Sequence, residues 1–157
     1  MRQLILSLRR NHDIGSLQAI CKILQSDLPQ DSLLIPIPGW KATSRSNPLP
    51  ELICRCLERP TLQLLQRCRP TVGQHRLNRR QRVSNQRGSC KLSQASTQWG
   101  HHAWTNRRGQ QQVWLVDDIV TTGATVLAAK QVLQASGVSI QGVVCLARTP
   151  WELHPVI

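Results

Sequence analysis

The sequence predicts an α/β fold built on a central, mostly parallel sheet flanked by helices, and three observations carry that reading. Apolar runs of strand length alternate with stretches of helical apolar spacing, the pattern of repeated strand–helix–strand units. One such unit, from Val113 to Ala147, is complete: an apolar strand, a glycine-containing turn, an amphipathic helix and a second apolar strand. The 157 residues, 40% hydrophobic and 18% charged, suit one folded domain over residues 1–157 with a core of its own.

Each element has a local reason. Leu17, Ile20, Cys21, Leu24 and Leu28 fall on one helical face, which Asp13 or Ser16 can cap and Pro29 ends. They mark residues 1–30 as an N-terminal helical region. The short apolar run from Leu33 to Pro38 reads as a buried strand broken by its prolines. Asn47 then suits an N-cap and Pro48 the first helical position of a second helix, with Leu49, Leu52, Ile53, Cys56 and Leu57 as its stripe and Pro60 as its stop. Leu62 to Leu65 is a candidate short strand. Residues 66–111 change character, with Gln, Arg, Asn, Ser and His dominating and too few apolar residues for a core-facing side. His75 to Gln86 has some helical character, but only Leu77 and Val83 could dock. A polar excursion of this length is expected to be a flexible functional loop. Val113 to Val116 restores regular structure as a strand ending on Asp117-Asp118, and Thr125 to Ala135 forms a helix with Val126, Ala129 and Leu133 on its apolar side. Gly137 caps that helix, and Ile140 to Ala147 is the last strand. No internal repeat is visible.

The charge is unevenly placed. Twenty Lys+Arg against eight Asp+Glu give a formal charge of +12. Between Arg59 and Arg108 there is no acidic residue, while eleven of the twenty basic residues lie there. This asymmetry calls for a polyanionic partner: nucleic acid, anionic lipid or a phosphate-dense small ligand. No apolar run approaches the roughly 18 residues of a membrane span, so no membrane insertion is expected. Leu4-Ile5-Leu6 is also too short for the core of an export signal, and the expectation is a cytoplasmic protein. The six cysteines contain no C-x-x-C pair, and Cys54 and Cys56 point to different sides of a helix, so they read as small core hydrophobes rather than metal ligands. His101-His102 lacks further ligands and reads as surface.

Chemistry concentrates in Val113-Trp114-Leu115-Val116-Asp117-Asp118-Ile119-Val120-Thr121-Thr122-Gly123-Ala124-Thr125. A buried strand delivers two carboxylates toward its C-terminal end, the edge where open α/β sheets bind ligands. The small residues that follow let backbone N–H groups converge on an anion at a helix N-terminus, and the hydroxyls of Thr121, Thr122 and Thr125 add donors. Carboxylates beside an anion cradle suit a ligand with a phosphate at one end and a vicinal diol nearby. The plainer alternative is an ordinary strand–turn–helix whose acids cap the helix.

This segment resembles the phosphoribosyl-pyrophosphate (PRPP) signature of type I phosphoribosyltransferases. Ile35-Pro36-Ile37-Pro38 followed by basic residues, then Asn47, Arg69-x-Thr71-x-x-Gln74-x-x-Leu77 with Arg82 and Asn85, and the ending Leu146-Ala147-Arg148-Thr149-Pro150, resemble the ComF family of competence-associated, phosphoribosyltransferase-like proteins. The resemblance runs from about Leu4 to Pro150. It implies that Asp117 and Asp118 hold the ribose hydroxyls and that Thr121, Thr122, Gly123, Ala124 and Thr125 wrap the 5′-phosphate. It places Pro38, Gly39, Trp40 and Lys41, with Arg45 nearby, at the pyrophosphate loop. Arg69, Thr71, Gln74, His75, Arg76, Arg82 and Asn85 would belong to a flexible loop closing over the site. Mg²⁺ is implied as a cofactor carried by PRPP oxygens, a preference of that ion. The acceptor is unnamed, with Trp151 or Trp40 as candidate stacking surfaces and Trp114 read as core. ComF proteins commonly begin with a four-cysteine zinc module that has no counterpart here, so no zinc is expected, and the usual Gly-Phe-Asn-Gln segment reads Ser46-Asn47-Pro48. Two functions stay open: displacement of pyrophosphate at ribose C1, or a non-catalytic accessory role in DNA uptake, with single-stranded DNA or a competence helicase as partner. A basic RNA- or ribosome-associated protein would explain the charge but leave Asp117-Asp118 unexplained.

Overall fold

The computed structural model describes residues 2–11, 13–39, 47–68, 79–93 and 112–149. Ten elements run through them: α1 (Arg2–Asn11), α2 (Ile14–Ser26), β1 (Ser32–Pro36), α3 (Leu49–Leu57), β2 (Leu65–Arg67), α4 (Arg79–Gln86), β3 (Cys90–Leu92), β4 (Gln112–Val120), α5 (Ala124–Gln134) and β5 (Ile140–Arg148). The chain is a mixed α/β structure. β1, β4 and β5 form a parallel sheet with β4 in the middle, and β2 and β3 pair as a small antiparallel hairpin.

The sheet separates two apolar clusters, because neighbouring strand residues point to opposite faces. On one face Leu34, Val116, Val144 and Leu146 pack with Ile5 and Leu8 of α1, Leu17 and Cys21 of α2, and Ile53 and Leu57 of α3. On the other, Leu33, Ile35, Ile37, Val113 and Leu115 meet Ala129 and Leu133 of α5 and Leu64 and Leu65 at the hairpin. Trp114 lies on the first face, where its ring occupies the space that a side chain at Gly142 would fill. The expected core role of Trp114 is therefore met.

Several boundaries differ from the sequence reading. Asp13 caps α2 as expected, accepting the Ser16 N–H at 3.2 Å and the Ser16 hydroxyl at 2.6 Å. α3 starts at Leu49, one residue late, because Pro48 sits at φ −81°, ψ 0° rather than in helical geometry. Asn47 still serves that helix, its Oδ1 accepting the Leu49 N–H at 3.2 Å. β4 does not stop at the two acids: it stays paired with β5 as far as Val120–Arg148. Strand β2 lies at Leu65–Arg67, not Leu62–Leu65, because its backbone partners come from Cys90–Leu92.

The polar stretch 66–111 holds α4 and β3 in its described part. Its packing is polar where hydrophobic patterning looks for apolar side chains. Arg67 donates to Gln86 Oε1 at 2.8 Å and to Ser89 Oγ at 2.6 Å, and both acceptor residues are fully buried. The same guanidinium donates through Nε to the carbonyls of Pro38 and Gly39, each at 3.1 Å. The acceptors of this buried network are satisfied, while Gln86 Nε2 has no hydrogen-bond partner among the described residues. α4 and β3 pack against α5. Among the described residues no helix is long and apolar enough to cross a membrane.

Candidate functional site

The carboxyl end of β4 and the start of α5 border a small, shallow, open cavity, lined by Asp117, Ile119 and Val120 from β4, Thr121 and Gly123 from the turn, and Ala124, Thr125 and Val126 from the first helical turn. Gly123 occupies the cap position of α5 at φ 73°, ψ 3°, a left-handed conformation that strains any residue with a Cβ. It brings no capping side chain. The first turn of a helix leaves its N–H groups without intrahelical partners, so this wall carries donors and the positive end of the dipole.

The two acids lie on opposite faces of β4. Asp117 shares strand parity with Val113 and Leu115 and reaches the cavity on the α5 side. Asp118 shares parity with Trp114 and Val116 and is buried on the opposite face, 3% exposed. Its Oδ2 accepts Arg9 Nε and Asn47 Nδ2, each at 2.6 Å, and its Oδ1 accepts the Ile119 N–H at 2.8 Å. Arg9 thus forms an ion pair with a nearly inaccessible carboxylate. Asp117 accepts only the Asp118 N–H among the described residues, at 2.9 Å. Desolvation first, and then the like charge of Asp118, push the Asp117 carboxyl up to about 7, against weaker opposition from the Asp118 N–H and the Arg9 charge.

The threonines also divide. Thr121 and Thr125 line the cavity, whereas Thr122 does not, and its Oγ1 is buried with no hydrogen-bond partner among the described residues. Pro38 and Gly39 lie at the end of β1 under the Arg67 guanidinium. Gly39 also touches the chain where it returns: a Cβ there would stand 2.9 Å from the Asn47 backbone nitrogen. Trp40, Lys41, Arg45, Arg69, Thr71, Gln74, His75, Arg76, Trp99, His101, His102, Trp104 and Trp151 lie outside the described residues, as does the side chain of Arg82. Asn85 is half-buried on α4.

Arg9 and the tie from Asn47 to Asp118 are the parts of the site that sequence reasoning missed. Asn47 is legible as a helix cap and as one residue of the ComF resemblance, whereas nothing in the sequence singles out Arg9. One signal was available for the acids: adjacent residues in an extended strand face opposite ways, so a strand continued past Asp118 would separate them. Among the described residues no three His, Cys, Asp or Glu side chains converge as a metal cage. Cys21 and Cys54 are buried and their thiols pushed up to about 12, chiefly by desolvation, which suits their expected role as small hydrophobes. No known protein-family model matches the chain, and no curated protein matches it significantly.

Proposed function

We propose that this protein binds PRPP through a type I phosphoribosyltransferase-like fold and displaces pyrophosphate at ribose C1, a reading that extends its resemblance to the ComF family. The observation that carries it is the cavity where one carboxylate, a left-handed glycine turn and a helix N-terminus meet at the C-terminal end of the central parallel strand. The Thr121–Thr125 turn would receive the 5′-phosphate on its N–H groups and hydroxyls. Asp117, in reach of the same cavity, would accept hydrogen bonds from the ribose diol. The cavity is far smaller than a full ligand pocket, so the 5′-phosphate would rest at its mouth against the turn, with the sugar and diphosphate lying outside it.

A single accessible carboxylate fits a Mg²⁺ ion brought in by PRPP oxygens better than a protein cage. Bound there, the ion would neutralise charge on the leaving diphosphate. The chain's own contribution would be to fix the phosphate, orient the ribose through Asp117 and hold the reacting carbon toward its acceptor. Positioning and fixed charge are sufficient catalytic work for this displacement, and no protein nucleophile is required.

Titration calorimetry with Mg²⁺ and PRPP tests the reading. The wild type is expected to bind, and Asp117→Asn to lose roughly 10–100-fold in affinity, the worth of hydrogen bonds to a charged group. Equal affinity in the two proteins would overturn it. A second reading, an accessory protein for single-stranded DNA or a competence helicase, draws on the acid-free segment from Arg59 to Arg108. It is distinguished by oligonucleotide affinity that falls steeply with salt and ignores PRPP.

A further inference from the structure

The contacts around Asp118 place it in a role different from that of its neighbour. Its carboxylate receives three donors, and two of them arrive from remote parts of the chain: Arg9 on α1 and Asn47 just before α3. Asn47 is bound at both ends of its amide, with Nδ2 donating to Asp118 and Oδ1 accepting from Leu49. Only an amide side chain of that length does both, since a carboxylate has no donor and would face Asp118 with like charge. Arg9 supplies the counter-charge that a carboxylate so poorly exposed requires. Asn47 also meets the backbone at Gly39, so the same residue sits where the end of β1 and the start of α3 come together beside β4.

We propose that Arg9 and Asn47 are positioning residues: by gripping Asp118 from the α1–α3 face they hold the carboxyl end of β4 in the orientation that presents Asp117 to the cavity. The consequence rests on strand geometry. A twist of β4 that brought Asp118 toward the cavity would carry Asp117 away from it. Pairing with β5 through Asp117–Cys145 and Ile119–Ala147 sets the strand's register, and the grip on Asp118 sets its rotation. This inference rests on the PRPP reading only for its ligand; the geometry of the grip stands without it.

The experiment uses the full chain in four forms: wild type, Arg9→Gln, Arg9→Lys and Asn47→Ala. Thermal unfolding checks that each is folded, and the carbon-13 shift of the Asp117 carboxyl reports its environment without any ligand. Affinity for Mg²⁺ and PRPP is then measured on the same samples. Arg9→Gln and Asn47→Ala are expected to move the Asp117 resonance and to weaken binding roughly 10–100-fold, the scale of lost outer support around a site. Arg9→Lys, which keeps the charge, is expected to restore part of both. A folded Arg9→Gln or Asn47→Ala with an unmoved Asp117 resonance overturns the proposal. If Arg9→Gln does not fold, the comparison passes to Asn47→Ala, where an unmoved resonance overturns it equally. If the wild type binds no PRPP, the PRPP reading fails, and the resonance alone judges the grip.

Discussion

Asp117 and Asp118 are adjacent in sequence and differ in almost every physical respect. Asp118 has a cation and two further donors, whereas Asp117 has one backbone N–H and a neighbouring negative charge. The raised Asp117 carboxyl means that the folded chain binds a proton more tightly than the unfolded chain, whose value lies near 3.8. Between about pH 4 and 7 the folded state then holds the extra proton, so this site's contribution to stability falls as pH rises through that window and stays low above it. Asp117→Asn removes the penalty. It is expected to be more stable than the wild type at pH 8 by on the order of a few kcal/mol, with the difference vanishing below pH 4; urea unfolding at a series of pH values measures it. A substitution that stabilises the fold while weakening ligand binding marks a group kept for function at the expense of stability.

At the scale of elements, one side chain ties the hairpin β2–β3 and helix α4 to the rest of the fold by polar contacts. Arg67 reaches Gln86, Ser89 and the carbonyls of Pro38 and Gly39, joining the polar stretch to the end of β1. Arg67→Ala removes the donor to Ser89 Oγ and one of two donors to Gln86 Oε1, which keeps only Ser89 Oγ at 3.2 Å, and is expected to cost about 2–4 kcal/mol. Hydrogen exchange should rise first at Cys68, whose backbone N–H donates to the Ser89 carbonyl at 2.9 Å. Helix α2 shows the opposite case. Its apolar stripe and Asp13 cap are written within a few residues, so its start was legible, although it ends at Ser26 before the Pro29 stop, whereas α4 and β3 carry little apolar signal. The start of α3 differs by one residue because the backbone of Pro48 is not helical.

For the whole molecule, the charge of +12 now divides between internal and external roles. Arg9 is engaged with Asp118 and Arg67 with the hairpin, so neither is available to a polyanion as arranged. The repeated arginines of α4, Arg79 and Arg80, have no acid nearby in sequence. Replacing both with Ser is expected to reduce affinity for a single-stranded oligonucleotide and to flatten its log–log salt dependence by roughly 1.4, about 0.7 for each phosphate no longer neutralised. Affinity for Mg²⁺ and PRPP should change less than about twofold if these two charges serve only the oligonucleotide, and a larger loss would assign them to PRPP. Filter binding across a salt series, with calorimetry alongside, checks both.

The sequence by itself determined the strand–turn–helix from Val113 to Gln134, the cap and stripe of α2, the buried strand before Pro36 and the thiols of the core. These rest on periodicity, turn chemistry and capping, all of which act across a few residues. The tertiary structure decided which acid faces the cavity, because that depends on how far β4 stays paired with β5. It also brought Arg9 and Asn47 onto Asp118 across 109 and 71 residues of chain. A polar contact between such distant residues leaves no local pattern, since its energy exists only once the sheet has set where each side chain points.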